Sequence, residues 1–177
     1  MGEIKDKILI SIYEESKKDF PDMENNITAE KFKISYDDFK KILYQLSRIE
    51  NYIDNALIQG KYPQYLVIKN IENMRLSASG VDYVQNIIKS SKLEKLNELN
   101  QLIDSIENLN ACEKEEFKKI GNAISVEECD SKDLVHKIKS YLSRIRGKCG
   151  EKIEDLIVQI ASEAIIKAMK EYGMLPK

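Results

Sequence analysis

One histidine, three cysteines, a glycine-lysine turn and a few adjacent carboxylates are the places in this chain where types and spacing could suggest a catalytic or metal site. His136 has no second histidine, so neither a histidine pair nor an HExxH metal site can form. Set in a helical stretch beside Val135, it reads as a surface or partly packed residue. Cys112, Cys129 and Cys149 are spaced 17 and 20 apart with no CxxC, which is a poor zinc set without nearby histidines. Lone cysteines are more often packed than reactive. Gly147-Lys148-Cys149-Gly150 lacks the GxxxxGK[S/T] spacing of a phosphate loop. Glu115-Glu116 and Glu127-Glu128 are neighbours in sequence, of a kind found on most helical surfaces. The sequence therefore predicts no catalytic residue, no metal, no cofactor and no enzyme.

Binding chemistry is better represented. From Ser35, a natural N-cap, Phe39, Ile42, Leu43, Leu46 and Ile49 follow at helical spacing and form one buried face. At 100° per residue the opposite face carries Asp37, Lys41, Tyr44 and Arg48, with Lys40 on its edge. Lys41 and Arg48 can donate to phosphates or base edges, Lys40 can reach phosphate, and Tyr44 offers a ring and a hydroxyl. Lys61 lies in a following loop and completes a small DNA-contact set: Lys40, Lys41, Tyr44, Arg48 and Lys61. Asp37 and Asp38 work against it, since they sit at the helix start and repel phosphate. Their other reading is a solvated face in which Asp37 pairs with Lys41 at i, i+4.

These residues need a frame. Ile4, Ile8 and Ile12, with Leu9 and Tyr13, predict an apolar stripe on a helix over 3–18 that ends at Asp19-Phe20-Pro21. A polar loop, Glu24-Asn25-Asn26, then leads to a short helix from the Thr28 cap to Lys33. After Asn51 the period becomes strand-like. Tyr52–Ile58 and Tyr65–Ile71 predict a hairpin around Gln59-Gly60-Lys61-Tyr62-Pro63-Gln64. Ser77 caps another helix, and Gly80 at its third position lets that helix lie close to a neighbour. Val81, Val84, Ile87 and Ile88 form its apolar side.

Three helices closed by a hairpin make the winged helix-turn-helix plan. "MRLSASGVDYVQ" resembles the L-[S/T]-x-x-G-x-x-[Y/F] element that follows the wing in many bacterial winged-helix proteins. "ISYDDFKKILYQLSRIENYI" resembles their recognition helix running into the first wing strand. Size and layout are most similar to the prophage-associated YjcQ-like proteins, with PadR-like regulators more distant. The resemblance covers about residues 3–91 and implies a fold first; winged helices also serve as protein-binding modules.

The second half predicts helices only. Leu93, Leu96, Leu99, Leu102, Ile103, Ile106 and Leu109 share one side of a segment that continues the helix begun at Ser77. This side reads either as a dimer seam or as packing within the same subunit. Asn110 and Glu113 have capping-box spacing before a helix through Phe117, Ile120 and Ile124. Asp130-Ser131-Lys132-Asp133 starts another, with Leu134, Ile138, Tyr141, Leu142 and Ile145 inward. After a turn at 147–150, one long helix is expected from Glu151 to Tyr172. Its apolar residues spread over two faces, which asks for cover on two sides. Leu96, Leu99, Ile103, Ile106, Ile157, Ile165 and Met169 are the expected dimerisation set.

Charge and composition bound the partners. Hydrophobic residues are 42% and charged residues 33%, a globular balance. Residues 1–91 hold 13 Lys/Arg against 14 Asp/Glu, and residues 92–177 hold 15 against 16, so neither half is basic. Nucleic-acid contact must rely on a local patch. Charges interrupt the most apolar stretch, Ile153–Met169, so no membrane span or membrane partner is expected. The first residues have no signal-peptide pattern, and the cysteine usage fits a reduced, cytoplasmic setting.

The fold expected is mainly α with a small β-hairpin wing: a winged helix-turn-helix over 1–91, then an α-helical bundle or association module over 92–177. The function expected is a dimeric DNA-binding regulator of bacterial or phage origin. The alternative is a non-enzymatic protein-interaction factor, such as a phage-type inhibitor or adaptor of host defence, which uses the winged domain as scaffold. Its protein partner would meet the acidic patches or the C-terminal helices.

Overall fold

The structure, a computed structural model, describes residues 2–55, 57–59, 67–126, 131–145 and 148–175. It is mainly helical with short antiparallel strands, and it divides into two compact units, Met1–Ile88 and Lys89–Lys177.

In the first unit, helix α1 (Gly2–Ser16) buries Ile8, Leu9 and Ile12 completely. Each such side chain contributes about 1.5–3 kcal/mol of apolar burial. Near the end of α1, Glu15 is 4% exposed yet well partnered. It accepts from the Asp22 amide at 2.8 Å and from Asn26 Nδ2 at 3.1 Å, and it pairs with Lys18 at 2.6 Å. Asp22 in turn caps a short helix α2 (Met23–Asn26) by accepting from the Asn25 amide at 3.1 Å. The expected polar loop at 24–26 is therefore helical, and the expected helix at 28–33 is a set of turns. Asp22 offers a carboxylate cap one segment earlier than Thr28. Lys33 takes a left-handed φ of 54° and closes those turns, the Ile34 amide donating back to the Ala29 carbonyl at 3.1 Å.

Helix α3 (Tyr36–Tyr44) begins where Ser35 Oγ accepts from the Asp38 amide at 3.1 Å. It buries Phe39, Ile42 and Leu43, then continues as a π-helical segment over Gln45–Ile49. The wider turn takes an extra residue, so side chains after Tyr44 fall out of α-helical phase. Leu46 stays buried, but Ile49, expected inside, is 64% exposed.

Among the described residues, four short strands stand where two long ones were expected. Strand β1 (Ile53–Asp54) pairs antiparallel with β4 (Arg75–Leu76), Ile53 opposite Leu76. Strand β2 (Leu57–Gln59) pairs antiparallel with β3 (Val67–Lys69), Ile58 opposite Ile68. Left-handed asparagines punctuate them: Asn51 at φ 55°, Asn55 at 63° and Asn70 at 57°. A 3-10 turn, Ile71–Asn73, separates β3 from β4. Most of the loop expected at the hairpin tip, with Lys61, lies outside the described residues.

Helix α4 (Ala78–Asp104) explains its early glycine. Ser77 Oγ accepts from the Gly80 amide at 3.1 Å, and the Ser77 amide donates to the Tyr52 carbonyl at 3.0 Å. Ser77 and Ser79 hydroxyls both donate to the Asn51 carbonyl, at 2.6 and 3.0 Å. A Cβ added at Gly80 would stand 2.1 Å from the Tyr52 carbonyl oxygen. Only glycine fits.

The described secondary structure of the second unit is all helical, joined by short turns. The later turns of α4 bury Leu96, Leu99 and Ile103, and Gly121 sits where a Cβ would press on Leu99 at 3.2 Å. Asn110 and Glu113 form the expected reciprocal capping box, at 3.0 and 2.9 Å, at the start of α5 (Ala111–Val126). Helix α6 (Ser131–Arg144) lays Tyr141 on Phe117, centroids 4.7 Å apart. The expected long C-terminal helix is two: α7 (Lys148–Ile160) and α8 (Glu163–Glu171). Buried Ser162 breaks them by capping α8, its Oγ accepting from the Ile165 amide at 3.4 Å. The break lets Ile153, Leu156 and Ile157 share one core with Ile165, Ala168 and Met169. No described helix is long and apolar enough to cross a membrane.

Gly80→Ala should lower stability by about 3 kcal/mol, because a backbone carbonyl rather than a flexible side chain must move. The urea midpoint measures it. Glu15 supplies a pH test. Lys18 first, then the Asp22 amide, holds its carboxyl below the ordinary 4.5. A depressed carboxylate stabilises the fold above that value, and the contribution disappears as pH falls through the folded-state value. Urea unfolding across acidic pH should show the largest gap between wild type and Glu15→Gln near neutrality, closing on acidification.

Candidate nucleic-acid interface

Ser35 fixes the start of α3, and its buried face fixes the rotation, so its first polar turn faces solvent. There each lysine meets an aspartate one turn earlier. Lys40 Nζ lies 2.8 Å from Asp37 and 5.1 Å from the Tyr36 ring centroid, with its side chain only 14% exposed. Lys41 lies 3.6 Å from Asp38, with half its side chain exposed. The pairing is i, i+3 in both cases, and the expected Asp37–Lys41 pair does not form. Lys40 Nζ is also the largest cause of the lowered Asp37 pKa. Tyr44, expected on the solvent face, is half-buried against the first unit's core. Arg48 is exposed and has no ion pair or hydrogen bond among the described residues. Lys61 lies outside those residues. Of the five expected DNA contacts, Lys41 and Arg48 stand open to solvent, and Lys40 is held along the helix.

Arg48 also opens onto a polar cleft of about 620 Å³. Ser47 and Arg48 line it from the π-helical segment, and Asn51 follows from the chain leaving that segment. Asp54 and Asn55 line it from the end of β1, and Asn70 and Asn73 from the approach to the 3-10 turn. Three of its four asparagines are the left-handed ones. Sequence reasoning about the recognition helix missed this group. The signal was present as isolated asparagines around β-prone runs, since Asn tolerates left-handed backbone where other side chains do not. A second, apolar groove of about 360 Å³ runs past Ile27, Phe39, Ile68 and Ile71, with Tyr36 59% exposed at its edge.

The seven residues expected at a dimer interface belong to the second unit's own core. Leu96, Leu99, Ile103, Ile106, Ile157, Ile165 and Met169 are each no more than 8% exposed within one chain. The leucine-rich side of α4 packs within its own unit, where Leu99 lies against Gly121 of α5. Leu93, on the expected side, is 59% exposed. His136 is exposed and meets the Tyr172 ring edge-on at 4.7 Å. No group of three metal-ligating side chains occurs among the described residues.

The family described as an uncharacterized protein conserved in bacteria (DUF2321) matches residues 80–169. That stretch runs from Gly80 in α4 to Met169 in α8 and takes in nearly all of the second core. No curated protein and no solved structure matches the chain. With half its length matched, the chain belongs to the DUF2321 family.

Ile157→Ala should cost about 3 kcal/mol through the cavity it leaves. It should leave the molar mass measured by light scattering at the wild-type value, since the side chain is a core contact.

Proposed function

We infer that, in this bacterial family member, the first unit is a winged helix-turn-helix that binds duplex DNA as a regulator. The observation that carries the reading is the layout of α3: a Ser35-capped helix leads directly into short paired strands, with Lys41 and Arg48 left on the solvent side. Arg48 supplies a planar fork of donors suited to phosphate or guanine. The aspartates on α3 do not decide against it. An exposed i, i+3 pair is worth only about 0.2–0.5 kcal/mol, less than a charge-assisted phosphate contact, so Lys41 can exchange Asp38 for DNA. The absence of a basic half fits a small footprint, with few phosphate contacts and a correspondingly modest salt slope.

A second reading, a protein-interaction factor, is favoured by one observation: the apolar groove beside exposed Tyr36, with Phe20 91% exposed in the same unit. Duplex binding separates the two. Fluorescence anisotropy with random duplex at low salt should give saturable binding. Affinity should fall by about 0.9 log units per log unit of salt for each phosphate contacted. Lys41→Glu with Arg48→Glu should abolish it. Absence of duplex binding at low salt removes the DNA reading and leaves the interaction reading.

A further inference from the structure

We propose that the Arg48 cleft is a binding site for a nucleotide unit: a phosphate carried beside a nucleobase edge. The site stands on the cleft itself and does not rest on duplex binding by α3.

Its volume, about 620 Å³, falls in the range of small-molecule sites and exceeds what a bare phosphate needs. Among the described lining residues Arg48 is the one cation, exposed and without a partner among the described residues. Opposite it in chemistry stand Asp54 and the amides of Asn51, Asn55 and Asn70. A simple anion would satisfy Arg48, meet repulsion from Asp54, and leave the amide oxygens unmatched. A purely cationic ligand would meet Arg48. Each amide presents a donor and an acceptor together, which matches the paired donor and acceptor on a base edge. Asp54 accepts from an exocyclic amine, and the guanidinium takes the phosphate in a fork.

The backbone points the same way. Asn51, Asn55 and Asn70 all hold left-handed φ values between 55° and 63°, around one cavity, next to a π-helical segment. Such conformations are uncommon outside glycine, and π-helical segments gather at functional sites. These positions need a residue that tolerates φ above zero. Glycine would serve the backbone as well, and asparagine adds an amide at each.

Two sources carry this chemistry, a free nucleotide and a nucleotide within a strand. The test is an NMR titration of the full chain with AMP, GMP, CMP and UMP, and separately with a single-stranded hexanucleotide of mixed sequence. The readouts are the Arg48 Nε–H signal and the side-chain amide signals of Asn51, Asn55 and Asn70. Saturable shifts with a mononucleotide, at a Kd of about 1 mM or tighter, identify the free nucleotide as ligand. Shifts with the hexanucleotide alone identify the strand. In either case Asn55→Gly with Asn70→Gly, which keeps the left-handed backbone, should weaken binding on the order of ten-fold. Arg48→Gln should remove the phosphate dependence, so that the nucleoside binds as well as the nucleotide. No shift with either probe overturns the proposal, as do shifts that survive the double glycine variant. Loss of duplex binding with the cleft titration intact would sink the DNA reading alone.

Discussion

The backbone of Tyr52 is the point at which the elements of the first unit are tied together. Its amide donates to the Leu46 carbonyl at 2.7 Å, closing the π-helical segment, and its carbonyl receives the Ser77 amide. Its ring stacks on Tyr83 at 4.6 Å, and the Tyr83 hydroxyl donates to Asp6 of α1 at 3.0 Å. Burial, then the Asp6 bond, raises the Tyr83 pKa above its ordinary value, so the neutral donor is the form the packing selects. All of this requires the start of α4 to come within contact distance of a peptide carbonyl. One missing side chain, at Gly80, permits it. Strand pairing, the exit of α3 and the seat of α4 are therefore settled together.

The second unit meets a different constraint: more apolar helix surface than one straight helix can hide. Interrupting the last helix at Ala161 and Ser162 folds the excess back on itself. Ile160 and Ala161 on one side of the break and Ile165 and Met169 on the other then enter a single cluster. The freed amide at Ile165 is not left bare, because Ser162 accepts it. The aromatic contact of Phe117 with Tyr141 belongs to the same economy of cover. Burial pushes the Tyr141 hydroxyl up to about 12, and that hydroxyl donates a hydrogen bond to Glu116 at 2.9 Å.

Much of this organisation was legible in residue order, and the failures share a cause. Caps read well: Ser35, Ser77 and the Asn110–Glu113 box act through one or two local bonds, and spacing alone specifies them. Gly80 read well because a glycine inside a helix start needs a reason. Ile49 was misplaced because 100° per residue assumes an unbroken α-helix, whereas the π-helical segment changes the phase; Tyr44 precedes that segment and packs partly against the first core. The helix at 28–33 lost to Asp22, whose cap depends on a carboxylate seven residues upstream, a tertiary contact invisible to local pattern. The leucines of α4 matched both a dimer seam and an internal face, and periodicity cannot tell which surface will cover them. The cleft escaped notice because no local pattern joins asparagines 51, 55, 70 and 73. Only the turning of the strands brings them together.

The direction in which Arg48 points is written in chain length rather than in residue identity. Deleting one residue between Gln45 and Ile49 would restore ordinary helical phase and swing every side chain after the cut by about 100° around the axis. The guanidinium would leave the cleft mouth although no chemical group had changed there. An insertion or deletion at that spot would therefore redirect Arg48 more than most substitutions along the surface of the first unit could.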